Sequence, residues 1–544
     1  MDGSSVEGRV EAVADGGQQF LDAVVVGAGA GGLYALLRLK QAGRTARLFE
    51  AGSDVGGTWY WNNYPGARVD VPSLEYSYGF DRDLEQEWTW PERYSAQPEL
   101  QAYFSHVADR YGLRDHISFE TKVVSAEFDE KNSLWKIRTE GGGEVLARFF
   151  VVATGPLSEP IFPKIKGMET FKGHSVHTGR WKTDGVDVSG KRVGVIGTGS
   201  SGAQIAPELA KSASRLYLLQ RTPAYSVPSQ NKVLDAEEIA RLKSNYEAIR
   251  ERARRNRSAL GIDVSDVGAF EVSEEERQKI FEERWQYGGL GFTAAFGDLY
   301  SDVDANETAA EFVRQKIRQI VEDADVAERL MPDTLIGAKR LCVDNGYFQM
   351  FNRDNVELVD LRENPLVAID ETGILTEQGH IDLDVIVYAT GFDAFTGSIL
   401  KMDILGRDGK DLKTAWDGGP RTYLGFCVAG FPNMFVVNGP GSPAGLANMV
   451  TLAEIGVEWI VDCILSMDRE GKSEIEALDE KQDDWGKMLN MMAEETIYPL
   501  ANSWYVGANV PGKPRIFMSH LDFPEYVKSC RASAESGYAD FRIK

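Results

Sequence analysis

Two stretches of this chain read G-x-G-x-x-G directly after a short apolar run, and together they constrain the fold more than any other feature. The first is Gly27-Ala28-Gly29-Ala30-Gly31-Gly32, after AVVV at 23–26. The second is Gly197-Thr198-Gly199-Ser200-Ser201-Gly202, after RVGVI at 192–196. In a strand–turn–helix unit the first glycine makes the tight turn, the second admits a pyrophosphate to the backbone, and the third lets helix and strand pack closely. The helix N-terminus offers free N–H groups and a positive dipole end to the phosphates. One such loop alone is a weak signal. Here each is followed by a helical run and a second strand: LYALLRLKQAG then ARLFE (46–50) in the first, and a helix from about Ser201 then RLYLLQR in the second. Two complete βαβ units predict an α/β chain with two Rossmann-like dinucleotide-binding domains.

The ends of the second strands separate the two ligands. Glu50 is placed to accept hydrogen bonds from ribose hydroxyls, as in a site for an unphosphorylated ribose. The matching position in the second unit carries Arg221-Thr222. An acid there would repel a 2′-phosphate, whereas a guanidinium binds it in bidentate fashion. With the later Lys339, this predicts NADPH at the second loop, contacted by Thr198, Gly199, Ser200, Ser201 and Gly202.

At 544 residues the chain exceeds one ordinary core, and a formal net charge of -24 argues against a nucleic-acid partner or an anionic membrane surface. Cys342, Cys427, Cys463 and Cys530 are far apart and have no metal-ligand or redox-dithiol spacing, so neither a metal nor a disulfide framework is expected. No basic stretch followed by an apolar run opens the sequence, and the expectation is a cytoplasmic protein. Residues 1–20 read as a loose polar arm. Between Pro228 and Pro332 the sequence turns to charged amphipathic helices. Ile239, Leu242, Tyr246 and Ile249 recur at helical spacing, as do Val313, Ile317, Ile320 and Val321.

Between the two loops lies FKGHSVHTGRW (171–181), which is F-x-G-x-x-x-H-x-x-x-W. With the two loops around it, this linker resembles the fingerprint of the type I Baeyer–Villiger monooxygenases, in the phenylacetone/cyclohexanone monooxygenase group. Phe171, Gly173, His177 and Trp181 carry the match. The family continues with Pro or Asp, where this chain has Lys182. A histidine four residues before a tryptophan specifies no chemistry by itself; the resemblance implies domain coupling for His177 rather than base catalysis.

The resemblance implies FAD at the first loop (Gly27, Gly29, Gly32, Glu50). It places Gly57, Thr58 and Trp59 of GGTWYW, Asp70 of YPGARVD, Tyr76 and Met449 at the flavin, with a backbone contact near Val123 at the adenine. A-T-G at 153–155 and again at 389–391 matches the domain crossovers of two-dinucleotide flavoproteins. The implied organisation is an FAD domain (1–156), an NADPH domain (157–228), a helical insertion in the NADPH domain (229–332), the rest of the NADPH domain (333–390), and a return to the FAD domain (391–544).

The expected reaction uses NADPH and O2 to convert a small-molecule ketone to an ester or lactone through a flavin C4a-peroxide and a Criegee adduct. Both carry anionic oxygen, which a permanently charged guanidinium stabilises. The resemblance assigns that role to Arg340 of GAKRLCVDNGYF, oriented by Asp70, with Arg340 and Lys339 also at NADPH. It places Trp504 of SWYVGANVPGKP (503–514) against NADP on a mobile loop, for which Gly507 and Gly512 suit a hinge, and Ala444, Gly445 and Leu446 at the substrate pocket. Gly445 carries no side chain, which reads as an open wall. The competing expectations are a flavin N- or S-hydroxylating monooxygenase and a non-catalytic FAD/NADPH redox sensor. A monomer or weak homo-oligomer is expected.

Overall fold

In a computed structural model of the protein, residues 13–14, 18–181 and 185–544 are described. Lys182, the departure from the fingerprint, and most of the expected N-terminal arm lie outside them. The strand leading into the first glycine loop begins at Gln18 rather than at Ala23, with Val13–Ala14 paired antiparallel to its start.

Among the described residues, the first sheet has a parallel half in which Met434–Val436, Glu144–Val152, Gln18–Val26, Ala46–Phe49 and Ile117–Ser118 lie in order. The strand Glu144–Val152 changes partners along its length. Its first half is antiparallel to Leu134–Thr139 (Ala147 opposite Trp135), and its second half is parallel to Met434–Val436 (Phe150 opposite Met434). Its sequence shows why: EVLAR alternates between buried and half-buried positions, while FFVV is buried throughout. A strand leaving a one-sided meander for a two-sided parallel sheet has that pattern. Helix Ala30–Gln41 covers one face with Leu33, Leu36 and Leu37. Helix Met449–Arg469 packs over it, joined by the Tyr34 hydroxyl donating to Glu458 at 2.8 Å.

The second sheet is parallel throughout, in the order Val356–Asp360, Arg215–Gln220, Arg192–Ile196, Val385–Tyr388, His174–His177. Strand order reverses at Arg192–Ile196, so the crevice beyond its carboxyl end, where the second glycine loop lies, is the topological switch point at which such sheets bind ligands.

The 229–332 region divides between the two cores. Tyr246, Ala259 and Leu260 join the core of the first sheet, while Phe281, Trp285, Phe292 and Phe312 build an aromatic cluster on the second. The expected helix over Ile239–Ile249 is two helices, Ala236–Ser244 and Tyr246–Arg255, broken at Asn245. Arg250, on the second of these, explains the docking. Its buried guanidinium pairs with Glu85 and donates to the carbonyls of Ser77 (3.1 Å) and Tyr78 (2.8 Å) beside the core of the first sheet. This region therefore straps the core of one sheet to that of the other.

Candidate active site

The two glycine loops are built alike. Gly27 (φ 101°) and Gly197 (φ 115°) take left-handed turns that side chains avoid. A Cβ on Gly27 would stand 2.7 Å from the Ala153 carbonyl oxygen, and one on Gly197 2.4 Å from that of Ala389. The two A-T-G crossovers thus press on the first glycine of each loop. The third glycines seat the helices: a Cβ on Gly32 or Gly202 would overlap the carbonyl of Gly27 or Gly197, at 1.8 and 2.1 Å.

A cavity of about 770 Å³ opens over both loops. On the side of the first loop it is lined by Gly27, Gly29, Glu50, Gly57, Thr58, Trp59, Asp70, Tyr76, Val123 and Met449, which the fold therefore gathers from separate segments. Gly32 lies behind them as a packing residue. Gly57 approaches Gly29 so closely that a Cβ would be 2.7 Å from the Gly29 Cα. Trp59 meets Tyr76 edge-on at 5.8 Å, and its indole N–H is buried with no partner among the described residues. The Asn438 side-chain oxygen, also in the cavity wall, is likewise unpartnered. Buried polar atoms are rarely left so, and this donor and acceptor beside a glycine-lined cradle fit a polar ring system joined to a pyrophosphate. The Glu50 carboxylate accepts from Ala28 N and Gly52 N, both at 2.7 Å. Burial raises its pKa and those two N–H groups oppose the rise. It braces the loop, and each oxygen keeps a lone pair for a ribose hydroxyl.

On the second loop, Gly199 has open space where a Cβ would be, and Ser200 and Ser201 line the same cavity. Thr198 turns away, its hydroxyl donating to the Thr222 carbonyl at 2.7 Å, which ties the loop to the following strand. Lys339 is half-buried. Burial first, and then the nearby charge of exposed Arg221, push its pKa below the ordinary lysine value. Two cations held close, each with no ion pair among the described residues, fit a phosphate.

Between the cradles stands Arg340. Its Nε and Nη2 donate to the two oxygens of Asp70, both at 2.8 Å, and its Nη1 donates to the Gly445 carbonyl at 2.9 Å. Burial works against this charge, but Asp70 and the neighbouring Tyr505 more than offset it, leaving the guanidinium more firmly protonated than a free one. Three of its five N–H bonds are engaged and two remain for an anion.

The expected open wall at Gly445 is corrected by the structure. Gly445 has φ 80°, and a Cβ there would stand 2.7 Å from the Trp504 ring. The residue is glycine because the backbone is left-handed and an indole lies on it. Ala444 is fully buried, Leu446 packs with Tyr498 and Tyr505, and neither lines the cavity. Gly445→Ala is accordingly expected to lower folding stability by about 1–3 kcal/mol, from left-handed backbone strain plus overpacking against Trp504. Urea unfolding checks this, and a midpoint equal to wild type would refute it. Tyr505, absent from the sequence reading, is buried beside Arg340 with its hydroxyl 3.4 Å from the Gly445 oxygen.

The fingerprint is a packing device. A Cβ on Gly173 would lie 2.5 Å from both the Asp384 carbonyl and the Phe171 ring. Trp181 is in the core of the second sheet. His177 ends its strand fully buried, with Nδ1 accepting from Gly179 N at 3.0 Å and its ring against Phe392 at 5.7 Å. Burial, then Arg180, lower its pKa to about 4 against a small opposing effect of the Gly391 backbone, so it is neutral at physiological pH. It does not line the cavity.

Two dinucleotide cradles opening on one cavity, with a paired arginine between them, define a two-cofactor flavin monooxygenase. Residues 24–316 match the family described as pyridine nucleotide-disulphide oxidoreductase, although the four cysteines here are all buried and free. A Baeyer–Villiger monooxygenase of Pseudooceanicola batsensis is 42% identical over 95% of both chains. The solved structure of a steroid monooxygenase bound to NADP is 51% identical, with TM-score 0.93, covering 96% of this chain and 99% of that one. A closed cyclohexanone monooxygenase structure is 42% identical with TM-score 0.95, covering 97% and 99%. The chain belongs to the Baeyer–Villiger monooxygenases, which work with FAD and NADPH. Among the described residues no helix is long and apolar enough to cross a membrane.

Proposed function

We propose that Arg340, held by Asp70, stabilises the oxyanion that forms when oxygen is added to a ketone carbonyl in this cavity. The supporting observation is that the bidentate Asp70 bridge and the Gly445 carbonyl together take three of the five guanidinium N–H bonds and leave two for substrate-side oxygen. Bound FAD, reduced by NADPH, supplies the activation of O2. Overall, ketone, O2, NADPH and a proton give ester or lactone, NADP+ and water. Thr58, Trp59, Asp70, Tyr76 and Met449 would hold the flavin ring, while Arg221, Thr222 and Lys339 would hold the 2′-phosphate end of NADPH. Trp504, on the cavity wall above Gly445, would contact the bound NADP. The neutral, buried His177 couples the domains and moves no proton. We assign the protein to a reducing compartment such as the cytoplasm, on its four buried free thiols.

We further infer that the substrates include multi-ring ketones, since identity to the steroid monooxygenase (51%) exceeds that to the cyclohexanone enzyme (42%). The test is a panel of cyclohexanone, an aryl ketone and a steroid ketone with purified holoenzyme, NADPH and product identification. An ester or lactone in step with NADPH consumption, with kcat/KM highest for the steroid ketone, is expected. N-oxides from amines without any ester would replace the reaction, ketone-independent NADPH oxidation would remove it, and a preference for cyclohexanone would remove the substrate class alone.

A further inference from the structure

We propose that Tyr505 is a positioning residue for Arg340, and that docking of the 503–514 segment on the second domain crossover delivers it. This rests on the role given to Arg340 above.

Asp70 fixes only one edge of the guanidinium, which leaves its tilt about that edge free. The Gly445 carbonyl removes that freedom by accepting from Nη1 at 2.9 Å. That carbonyl belongs to a left-handed glycine whose own N–H makes only a weak donation to the Met449 sulfur at 3.3 Å, while the preceding Ala444 carbonyl is fixed by the Ser519 hydroxyl at 2.7 Å. Tyr505 closes the arrangement: its hydroxyl lies 3.4 Å from the same carbonyl oxygen, next to the guanidinium, and its ring is pinned between Trp504 (4.1 Å) and Tyr498 (5.2 Å). Burial raises the phenol to about 12 against the pull of Arg340, so the hydroxyl keeps its proton for donation through the neutral range.

The turn bearing Tyr505, Trp504–Val506, is not anchored within its own domain alone. Asn509 donates to the Phe392 carbonyl at 2.8 Å, and the Lys513 ammonium, only 11% exposed, reaches Asp393 at 2.7 Å and the Ala394 carbonyl at 2.8 Å. Phe392–Ala394 directly follow the second A-T-G, and Phe392 is the residue packed on His177. A Cβ on Gly179 would be 2.6 Å from the same ring. The fingerprint thus sets Phe392, the crossover seats Lys513 and Asn509, and the seated segment brings Tyr505 to the carbonyl that orients Arg340.

Tyr505→Phe and Lys513→Met holoenzymes test this. Tyr505→Phe keeps the ring and loses the hydroxyl. Its kcat is expected to fall about tenfold, the size of one lost bond to a charged network. Ketone KM should stay within about twofold, with unchanged FAD content and NADPH KM and more NADPH oxidised without product. Tyr505→Ala, which also removes the ring, should in addition lower the thermal midpoint. Lys513→Met should expose the Arg515–Ile516 bond to faster trypsin cleavage and show the same fall in kcat. Wild-type kcat and coupling in Tyr505→Phe would overturn the positioning role, as would a Tyr505→Phe defect confined to thermal stability. Unchanged proteolysis in Lys513→Met would overturn the delivery. Failure here with an inactive Arg340→Ala enzyme would leave the Arg340 reading standing; an active Arg340→Ala enzyme would remove that reading instead.

Discussion

Arg340→Ala should lose ketone oxygenation by about a thousandfold in kcat, the scale of removing a preorganised oxyanion donor from a water-poor site. FAD should remain bound, because the cradle of Gly27, Gly29, Gly57 and Trp59 does not depend on the guanidinium. The conservative replacement is nearly as informative. Arg340→Lys keeps the charge, but an ammonium cannot span both Asp70 oxygens and the Gly445 carbonyl in one plane while presenting two further N–H bonds. A loss of about a hundredfold is expected for it. Asp70→Asn keeps the shape and removes the counter-charge, leaving the guanidinium half-buried without its ion pair. Its defect should lie in kcat, with ketone KM nearly unchanged. Stopped-flow absorbance under anaerobic conditions separates the steps: if Arg340→Ala has lost reduction by NADPH as completely as oxygenation, the arginine serves cofactor binding and not the oxyanion. Oxygenation at near wild-type rate would remove the assignment altogether.

The parts of this site that sequence discloses are those where geometry leaves one residue type. Gly27 and Gly197 lie under carbonyls of the two A-T-G crossovers, and Gly32 and Gly202 lie on the carbonyls of those first glycines, so no side chain fits. Both loops are therefore readable from spacing, and the two crossovers through the resemblance. Gly445 shows the limit of that reasoning. An absent side chain looks like open space in a sequence, whereas its real cause, a left-handed backbone beneath Trp504, depends on a segment more than fifty residues away in sequence. Tyr505 escaped notice for a related reason: its partners, Arg340 and the Gly445 carbonyl, come from other segments, and one is main chain. The division of the 229–332 helices between two cores was also not legible. Amphipathic periodicity reports that a helix has a buried face, not which neighbour buries it. That choice rests on Arg250 meeting Glu85 and the Ser77 and Tyr78 carbonyls.

Replacing Arg221 or Lys339 by alanine should lower kcat/KM for NADPH by about tenfold each, and by up to about a hundredfold together, with NADH nearly unaffected. The argument is electrostatic. The two cations lie close enough for Arg221 to depress the Lys339 pKa, and neither has an ion pair among the described residues. Such a repulsion is unfavourable in the free enzyme and becomes favourable when a phosphate dianion sits between the charges. NADH lacks that phosphate, so each variant should lose discrimination rather than general affinity. Two further signs follow. Binding of NADPH should weaken with added salt more steeply than binding of NADH, because exposed Arg221 is screened. It should also weaken as pH rises through the lowered Lys339 pKa, since deprotonation removes one of the two charges; the Lys339→Ala enzyme should lose that alkaline limb while Arg221→Ala keeps it. Steady-state titrations with both coenzymes across salt and pH decide the matter. Equal losses for NADPH and NADH would mean that the pair supports the fold of the loop and does not read the phosphate.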